Sequence, residues 1–415
     1  MNLLLFMGNG NVIDSAGGAE KVLCNMANEM TLRGSHVTIL CNDTKQGLPF
    51  YPLLPEVKLI NLGGIGKNKR YPQIKKIIRE ITRPMRKTFL YPFFSDPIEK
   101  LKLQELTPAI RETMERIEPD VIISYFVEDH YAITHSIKDQ QYPLLLMHHN
   151  SPKTDLLKLP RHKILSLKKC DCLQLLLPSF ENQVNQILPW LKTATIPNIV
   201  SSVADNCVAN LFRHKNEYTI VMAARLDPKQ KQQHFLIRSF SKIARDYPHW
   251  KVKFYGGECT RNYSQFLIEL IKKHRLENQV FLMGTTKQPL DVLRESGVFA
   301  FPTAFEGFPL ALTEAMSVGL PCVGLKTASA VNELIVDGYN GFLSENNESD
   351  FAAKLKILMD NPQLRAAMGK NGHEFVKQFE PKKIWDQWEN LIDETVEQHK
   401  SKHENFISKA KKYAA

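Results

Sequence analysis

Two doubly wound α/β domains are the fold that this chain predicts, and three observations carry the prediction. Apolar runs of strand length alternate with helical patterns along both halves, the order that builds a parallel sheet with crossover helices. The 415 residues exceed what one hydrophobic core usually organises, and 43% hydrophobic with 24% charged residues is ordinary for a soluble globular protein. Between the two runs lies a polar stretch without clear period, Pro197 to Asn216.

In the first half the strand-like runs are Met1 to Met7, His36 to Cys41, Val57 to Leu62, Val121 to Tyr125, Leu144 to Met147 and Cys172 to Leu177. Gly17 and Gly18 precede the first long helix, Glu20 to Leu32. Glycines let a backbone approach a ligand at a helix N-terminus, so this loop is a candidate ligand contact. The second half repeats the pattern with Tyr218 to Ala223, Trp250 to Tyr255, Gln279 to Met283, Gly297 to Phe301 and Pro321 to Leu325. A polar helical segment, Pro381 to Tyr413, follows. The expected organisation is a Rossmann-like domain over 1–197, a linker over 198–216, a second Rossmann-like domain over 217–380 and a helical segment over 381–415. Ligands of such folds sit at the carboxyl ends of the strands, which for two facing sheets means the cleft between domains.

Composition excludes several classes. No run approaches the roughly 18 to 20 apolar residues of a membrane span. The opening Met1 to Met7 lacks a basic flank and a cleavage site and runs into Gly8-Asn9-Gly10, so it reads as a first strand, and a cytoplasmic protein is expected. Seven cysteines form no metal-ligand cluster, since Cys170-Asp171-Cys172 is too tight for a zinc knuckle; reduced, mostly buried thiols are expected. The net charge of +10 is concentrated in Lys67, Lys69, Arg70, Lys75, Lys76, Arg79, Arg83, Arg86 and Lys87, with Glu80 as the single acid, ahead of Phe89-Leu90-Tyr91-Pro92-Phe93-Phe94. A basic, aromatic-flanked segment from Lys67 to Phe94 suits an anionic membrane surface or a polyanionic acceptor. Nucleic acid would use the same charge, but no recognition motif accompanies it, and none is expected as a partner.

The most informative stretch is Phe305-Glu306-Gly307-Phe308-Pro309-Leu310-Ala311-Leu312-Thr313-Glu314-Ala315-Met316. It reads as a strand-end loop followed by a helix, with Glu314 about two turns beyond the Gly/Pro turn. Open N–H groups and the positive end of the helix dipole there make a site for a diphosphate. A carboxylate on each side of an anion site is placed for hydroxyls, as a sugar or ribose offers, so the motif suggests a nucleotide-sugar. Arg225 and Lys231 follow the first strand of the second half, where their charges meet such a diphosphate from the other side. No two aspartates stand two residues apart, so neither a metal nor any other cofactor is expected.

Glu-x7-Glu within Glu-Gly-Phe-Pro-Leu-Ala-Leu-x-Glu-Ala-Met-x-x-Gly-x-Pro resembles the retaining GT-B glycosyltransferases of the "glycosyl transferases group 1" family. Gly17-Gly18-Ala19-Glu20 is similar to the family's first glycine loop, Ile196-Pro197-Asn198 to its inter-domain junction, and Ala224-Arg225-Leu226-Asp227-Pro228 with Lys231 to its phosphate-binding pair. The four signals come in the family's order and cover nearly the whole chain. The usual Arg-to-Lys spacing is five, whereas Lys229 is four and Lys231 six residues on; Phe235-Leu236-Ile237-Arg238-Ser239-Phe240 downstream favours Lys231.

The resemblance implies a GT-B fold whose C-terminal helices cross back onto the first domain. By it, Glu306 contacts hydroxyls of the donor sugar, Glu314 the ribose, and the N–H groups of Gly307, Phe308, Leu310 and Ala311 the phosphates or sugar. Gly17 and Gly18 approach donor phosphate or acceptor, and Met283 and Gly284, in Phe281-Leu282-Met283-Gly284-Thr285, pass the nucleobase. His148-His149-Asn150 ends a strand where the family places a histidine facing the donor sugar, and His149 is favoured. Thr327 to Leu334 replaces a segment usually rich in glycine and should approach the donor less closely. No protein nucleophile is implied. The expected activity is retaining, metal-independent transfer of a hexose or N-acetylhexosamine, from a donor taken as uridine-linked on family frequency. The expected acceptor is a saccharide, lipid-linked, in cell-surface polysaccharide or lipopolysaccharide synthesis at the inner face of the cytoplasmic membrane. A non-catalytic nucleotide-binding or nucleic-acid-binding protein also fits the charge and glycine loops but leaves the spaced glutamates unexplained. A phosphorylase of the same fold needs a pyridoxal-phosphate lysine that the sequence does not show.

Overall fold

The computed structural model describes all residues except 14, 16, 68–69, 86–95, 139–140, 213–216 and 415, and the side chains of 157 and 403–414. Lys69, Arg86, Lys87 and the aromatic run Phe89 to Phe94 of the basic segment therefore lie outside the described residues. The chain forms two units, one of Met1–Pro197 with Trp385–Ala415 and one of Asn198–Ile384.

The first unit is built on a seven-stranded sheet of β1 (Asn2–Met7), β2 (His36–Cys41), β3 (Lys58–Asn61), β4 (Val121–Ser124), β5 (Leu144–Met147), β6 (Cys172–Leu175) and β7 (Thr193–Thr195). All pairings are parallel, in the order β3-β2-β1-β4-β5-β6-β7. Leu3 to Met7 are all buried, because helices cover both faces of a parallel sheet and no residue of a central strand meets water. Leu4, Phe6 and Ile122 pack on Ile110 and Met114 of the helix Pro97–Ile117 and on Ile133 of the helix Val127–Ser136. Asp96 caps the former, its Oδ1 accepting from the amides of Ile98 and Glu99, with Pro97 pre-set at the first helical position.

Trp385, Trp388, Ile392 and Val396 are buried along one stripe of the terminal helix Pro381–Ala414, whose residues from Trp385 onward belong to the first unit. Arg33 ties that helix down, with Nη1 2.8 Å from Asp386 and 2.7 Å from Glu389 while Nε holds Glu29 at 3.0 Å.

The second unit has a six-stranded parallel sheet of β8 (Tyr218–Ala223), β9 (Trp250–Tyr255), β10 (Val280–Gly284), β11 (Val298–Phe301), β12 (Cys322–Leu325) and β13 (Gly341–Ser344), ordered β10-β9-β8-β11-β12-β13. The stretch expected as a linker packs within this unit as far as it is described. The amide of Val200 donates to the Phe379 carbonyl, that of Ala209 to the Val318 carbonyl, and Asp205 lies 3.0 Å from His373 Nε2.

Each sheet has one switch point, where consecutive crossovers run to opposite edges: between β1 and β4, and between β8 and β11. Loops at the carboxyl ends of each pair frame a crevice within their own unit, and Arg225, Lys231 and Glu306 fall at that of the second. The seven cysteines are all free, and burial pushes the thiols of Cys24 and Cys172 up to about 12. Among the described residues no helix is long and apolar enough to cross a membrane.

Candidate active site

The loop after β11 delivers Glu306, 6% exposed, against the loop after β8, which delivers Lys231. Lys231 Nζ lies 2.6 Å from Glu306 Oε1, and the Thr303 hydroxyl donates to the same oxygen at 2.6 Å. Gln230 sits between the two cations' partners. Its Nε2 donates to Glu306 Oε2 at 3.4 Å and to the Phe305 carbonyl at 3.1 Å, while its Oε1 accepts from Arg225 Nη2 at 2.8 Å. Arg225, Lys231 and Glu306 are thus one hydrogen-bonded network.

The turn that places them is set by Asp227. Its Oδ1 accepts from the amides of Lys229 and Gln230, and its carbonyl from those of Lys231 and Gln232, with Gln232 in the left-handed region at φ 54°. The extra residue in the Arg-to-Lys spacing is absorbed in this turn. Lys231 points inward, over the Phe301 ring at 5.1 Å, whereas Lys229 is exposed.

Beyond Glu306, the helix Leu310–Ser317 starts immediately after Pro309, so Glu314 lies one turn into the helix and is half-buried, closer to its start than the sequence pattern suggests. The amides of Leu312 and Thr313 already bond to the Pro309 carbonyl. Those of Gly307, Phe308, Leu310 and Ala311 have no acceptor among the described residues, which leaves four donors at the positive end of the helix. Phe308 is fixed by its edge-on contact with Phe379, ring centroids 5.3 Å apart.

The segment Thr327 to Leu334 holds the loop from behind. Phe305 and Ser329 form a parallel bridge, the Glu306 amide donates to the Ser329 carbonyl at 3.2 Å, and the Ser329 hydroxyl donates to the Glu306 carbonyl at 3.2 Å. The next residue, Ala330, is fully buried at φ 66°, a conformation that costs an L residue about 1 to 2 kcal/mol.

Met283 and Gly284 end β10, two strands from β8, and both are exposed. Gly284 has φ 70°, and its carbonyl accepts from the Gly256 amide, linking this loop through Gly256 and Gly257 to the Arg225 loop, where the Leu226 amide donates to the Gly257 carbonyl.

In the first unit, Gly17 caps the helix Gly18–Leu32 with no side-chain cap hydrogen bond, and the Glu20 carboxylate lies where a Cβ on Gly17 would stand. The Ser15 hydroxyl holds Glu20 Oε1 at 3.3 Å. After β5, His149 stacks on Tyr125 at 5.5 Å with its Nε2 shielded and unpartnered; burial, with His148 alongside, pushes it down to about 3, so it is a neutral imidazole. Its neighbour His148 is engaged with Asp155, 3.0 Å away.

Sequence reasoning missed Asp129, which follows β4 and is 1% exposed. Its Oδ1 accepts from the amides of Gly8 and Asn9 at 3.1 and 2.9 Å and from Asn9 Nδ2, while its Oδ2 has no partner. Burial raises this carboxyl to about 8, against the pull of the Asn9 and Gly8 amides. Lys67 also differs from expectation. Rather than facing outward with the basic segment, it turns inward and donates to the Gly10 carbonyl at 3.1 Å, and desolvation lowers its pKa. Thr303, Gln230 and Ser329 were missed as well; the only signal was that Gln230 stands between the two candidate lysines.

The site is thus a loop at a switch point with open amides, two cations and a buried carboxylate. Residues 206–375, which lie within the second unit, match the family model described as Glycosyl transferases group 1, and the chain is a glycosyltransferase. It is 24% identical over 387 residues to an uncharacterized glycosyltransferase of Haemophilus influenzae, covering 92% of this chain and 97% of that one. Over 166 residues it is 30% identical to the N-acetylgalactosamine-N,N'-diacetylbacillosaminyl-diphospho-undecaprenol 4-alpha-N-acetylgalactosaminyltransferase of Campylobacter jejuni, covering 40% of this chain and 44% of that one. A structure of S. aureus TarM with fondaparinux, alpha-GlcNAc-glycerol and UDP shares the two-domain GT-B fold, with a TM-score of 0.71 at 16% identity over 94% of this chain and 100% of that one.

Proposed function

We propose that this chain is a retaining, metal-independent hexosyl- or N-acetylhexosaminyltransferase that uses a uridine diphosphate sugar and extends a lipid-linked saccharide in cell-surface polysaccharide or lipopolysaccharide synthesis. The observation that carries the reading is the buried Lys231–Glu306 pair at 2.6 Å beside four open amides. One loop offers an acceptor for sugar hydroxyls and donors for a diphosphate. When the donor enters, Glu306 accepts hydrogen bonds from the sugar hydroxyls, and Lys231 and Arg225 meet the phosphate oxygens. As the bond from the anomeric carbon to the diphosphate breaks, its electron pair leaves with the diphosphate. Charge grows where Arg225, Lys231 and the amides stand, so they stabilise the transition state more than the ground state. The acceptor hydroxyl attacks on the face that the diphosphate leaves, and a phosphate oxygen takes its proton.

The activity named for the Campylobacter relative, with its diphospho-undecaprenol acceptor, and the UDP in the TarM structure favour the lipid-linked acceptor and the uridine donor. A thermal-shift panel of nucleotide-sugars, followed by anomeric NMR of the product, tests the reading. UDP-sugars should stabilise the protein, transfer should keep the donor's anomeric configuration, and activity should survive EDTA. Inversion, or activity restored only by added Mg²⁺ or Mn²⁺, contradicts the mechanism.

Peripheral attachment to the inner face of the cytoplasmic membrane is part of the proposal. The helix Gln73–Thr82 buries none of its residues. Ile74, Ile77, Ile78 and Ile81 form one exposed apolar stripe, with Lys75, Lys76 and Arg79 on the same helix and Arg83 just beyond it. Each basic side chain near an anionic surface adds about 1 kcal/mol, screened within about 10 Å at 0.1 M salt. Flotation with anionic liposomes should occur at low salt, and should weaken at high salt and when Lys75, Lys76, Arg79 and Arg83 become Gln. Equal flotation of both proteins, or of neither, points to a soluble acceptor.

A further inference from the structure

We infer that the first unit carries a second anion site, one that holds a phosphate-bearing group of the acceptor in a cavity made wholly of its own residues; the assignment to the acceptor rests on the function proposed above. The cavity measures about 1030 Å³, at the upper end for a small-molecule site. Three carboxylates line it, Asp96, Glu99 and Glu128, and each has a cation beside it, one lysine serving two of them. Asp96 lies 3.1 Å from Arg79 Nε, and the 8% exposed Lys163 sits 2.9 Å from Glu99 and 2.8 Å from Glu128. Of the other wall cations, Arg83 pairs with Glu80 at 2.9 Å, while Lys102, Lys158 and Arg161 have no carboxylate partner among the described residues. Like charges gathered around one space repel, and a multivalent anion between them relieves the repulsion while bonding to each.

Two further features fit a sugar phosphate rather than a bare ion. Tyr131, with the His135 and His162 rings 4.2 and 4.7 Å from it, forms an aromatic wall shared with an adjoining, more apolar cavity of about 760 Å³. On the rim, Asn9 is held by Asp129 at the sheet's switch point, where ligands of doubly wound folds bind. The ligand class is therefore a saccharide bearing a phosphate or diphosphate, supplied either by a lipid-linked diphosphate or by a soluble sugar phosphate.

Pyrophosphate binding by calorimetry to the full chain tests the site. It is measured in an Arg225→Gln, Lys231→Gln background, which removes both cations of the donor loop and leaves its open amides the same in every comparison, so that a difference belongs to the first unit. Adding Lys102→Gln, Lys158→Gln and Arg161→Gln should weaken binding roughly tenfold or more, through loss of charge-assisted hydrogen bonds. The melting temperature should hold, because all three side chains are exposed. Unchanged affinity overturns the proposal. Competition then names the source: displacement by a polyprenyl-diphosphate-linked sugar in micelles assigns the lipid, displacement by a soluble sugar 1-phosphate assigns the free phosphate, and displacement by neither overturns the site.

Discussion

The two units hold their positive charge in opposite ways. In the second, Lys231 is committed to Glu306, Thr303 shares the same oxygen, and Gln230 fastens Arg225 to the pair. In the first, Lys102, Lys158 and Arg161 stand uncommitted around an open cavity. A closed network fixes geometry before the ligand arrives, as a site that breaks a particular bond requires. Uncommitted charge draws a ligand in without dictating its pose, which suits a partner whose remainder varies.

Breaking the closed network should give the largest effect. Lys231→Ala leaves Glu306 buried without its cation, and losing one member of a buried pair costs about 3 to 5 kcal/mol. Glu306→Ala removes the hydroxyl acceptor, about 2 to 3 kcal/mol in transition-state binding, or roughly a hundredfold in rate. The double variant should recover part of the stability that Lys231→Ala loses in denaturant unfolding, since the unpaired charge is then gone. Without such recovery the two side chains are not coupled. Lys229→Ala, at an exposed position, should stay within about 0.5 kcal/mol of wild type.

An intermediate effect is expected from Asp129 in the first unit. In the folded state it keeps its proton up to about pH 8, against 3.8 for an unperturbed carboxyl. Its contribution to stability is therefore full below pH 3.8 and is lost as pH rises through 8. Asp129→Asn keeps the acceptor for the Gly8 and Asn9 amides but cannot ionise. It should melt with wild type at pH 4 and higher than wild type at pH 8, by roughly 5 °C or more. Parallel melting curves at both pH values would show that the carboxyl is charged in the fold throughout.

The smallest effect is expected at Ala330, where glycine relieves the strain of φ 66° but adds about 0.5 to 1 kcal/mol of unfolded-state entropy. Ala330→Gly should change stability by under about 1 kcal/mol, in the favourable direction, with turnover kept. A clear loss of stability means the backbone there is not strained.

Much of this was legible in the sequence because parallel strands are continuous apolar runs and the motif loop carries its own Gly and Pro punctuation. Strands β7 and β13 were not. Thr193-Ala194-Thr195 has no apolar run, and its threonines are anchored by the Glu181 carboxylate at 2.8 and 2.9 Å. Gly341–Ser344 follows a turn held by the buried Asn340, which accepts from the Val336 amide and donates to the Leu334 carbonyl. Thr303, Gln230 and Ser329 were invisible for another reason. Ser, Thr and Gln are common surface residues, and their meaning arises only when the order β8-β11-β12 brings three distant loops to one edge. The Lys67 misreading has the same origin, since its partner, the Gly10 carbonyl, lies in the distant loop that follows β1.

The terminal helix, whose residues from Trp385 complete the first unit, also sets an order of events during synthesis. The second unit is one uninterrupted stretch, Asn198–Ile384, and has its whole sequence before the first does. The first unit is translated as far as Pro197 but waits 188 residues (385 − 197) for Trp385, with Trp388, Ile392 and Val396 following, to complete it. At about 5 to 20 residues per second, that wait lasts roughly 10 to 40 s. For that interval the surface destined for two buried tryptophans is bare on the ribosome, in the unit that began first and finishes last.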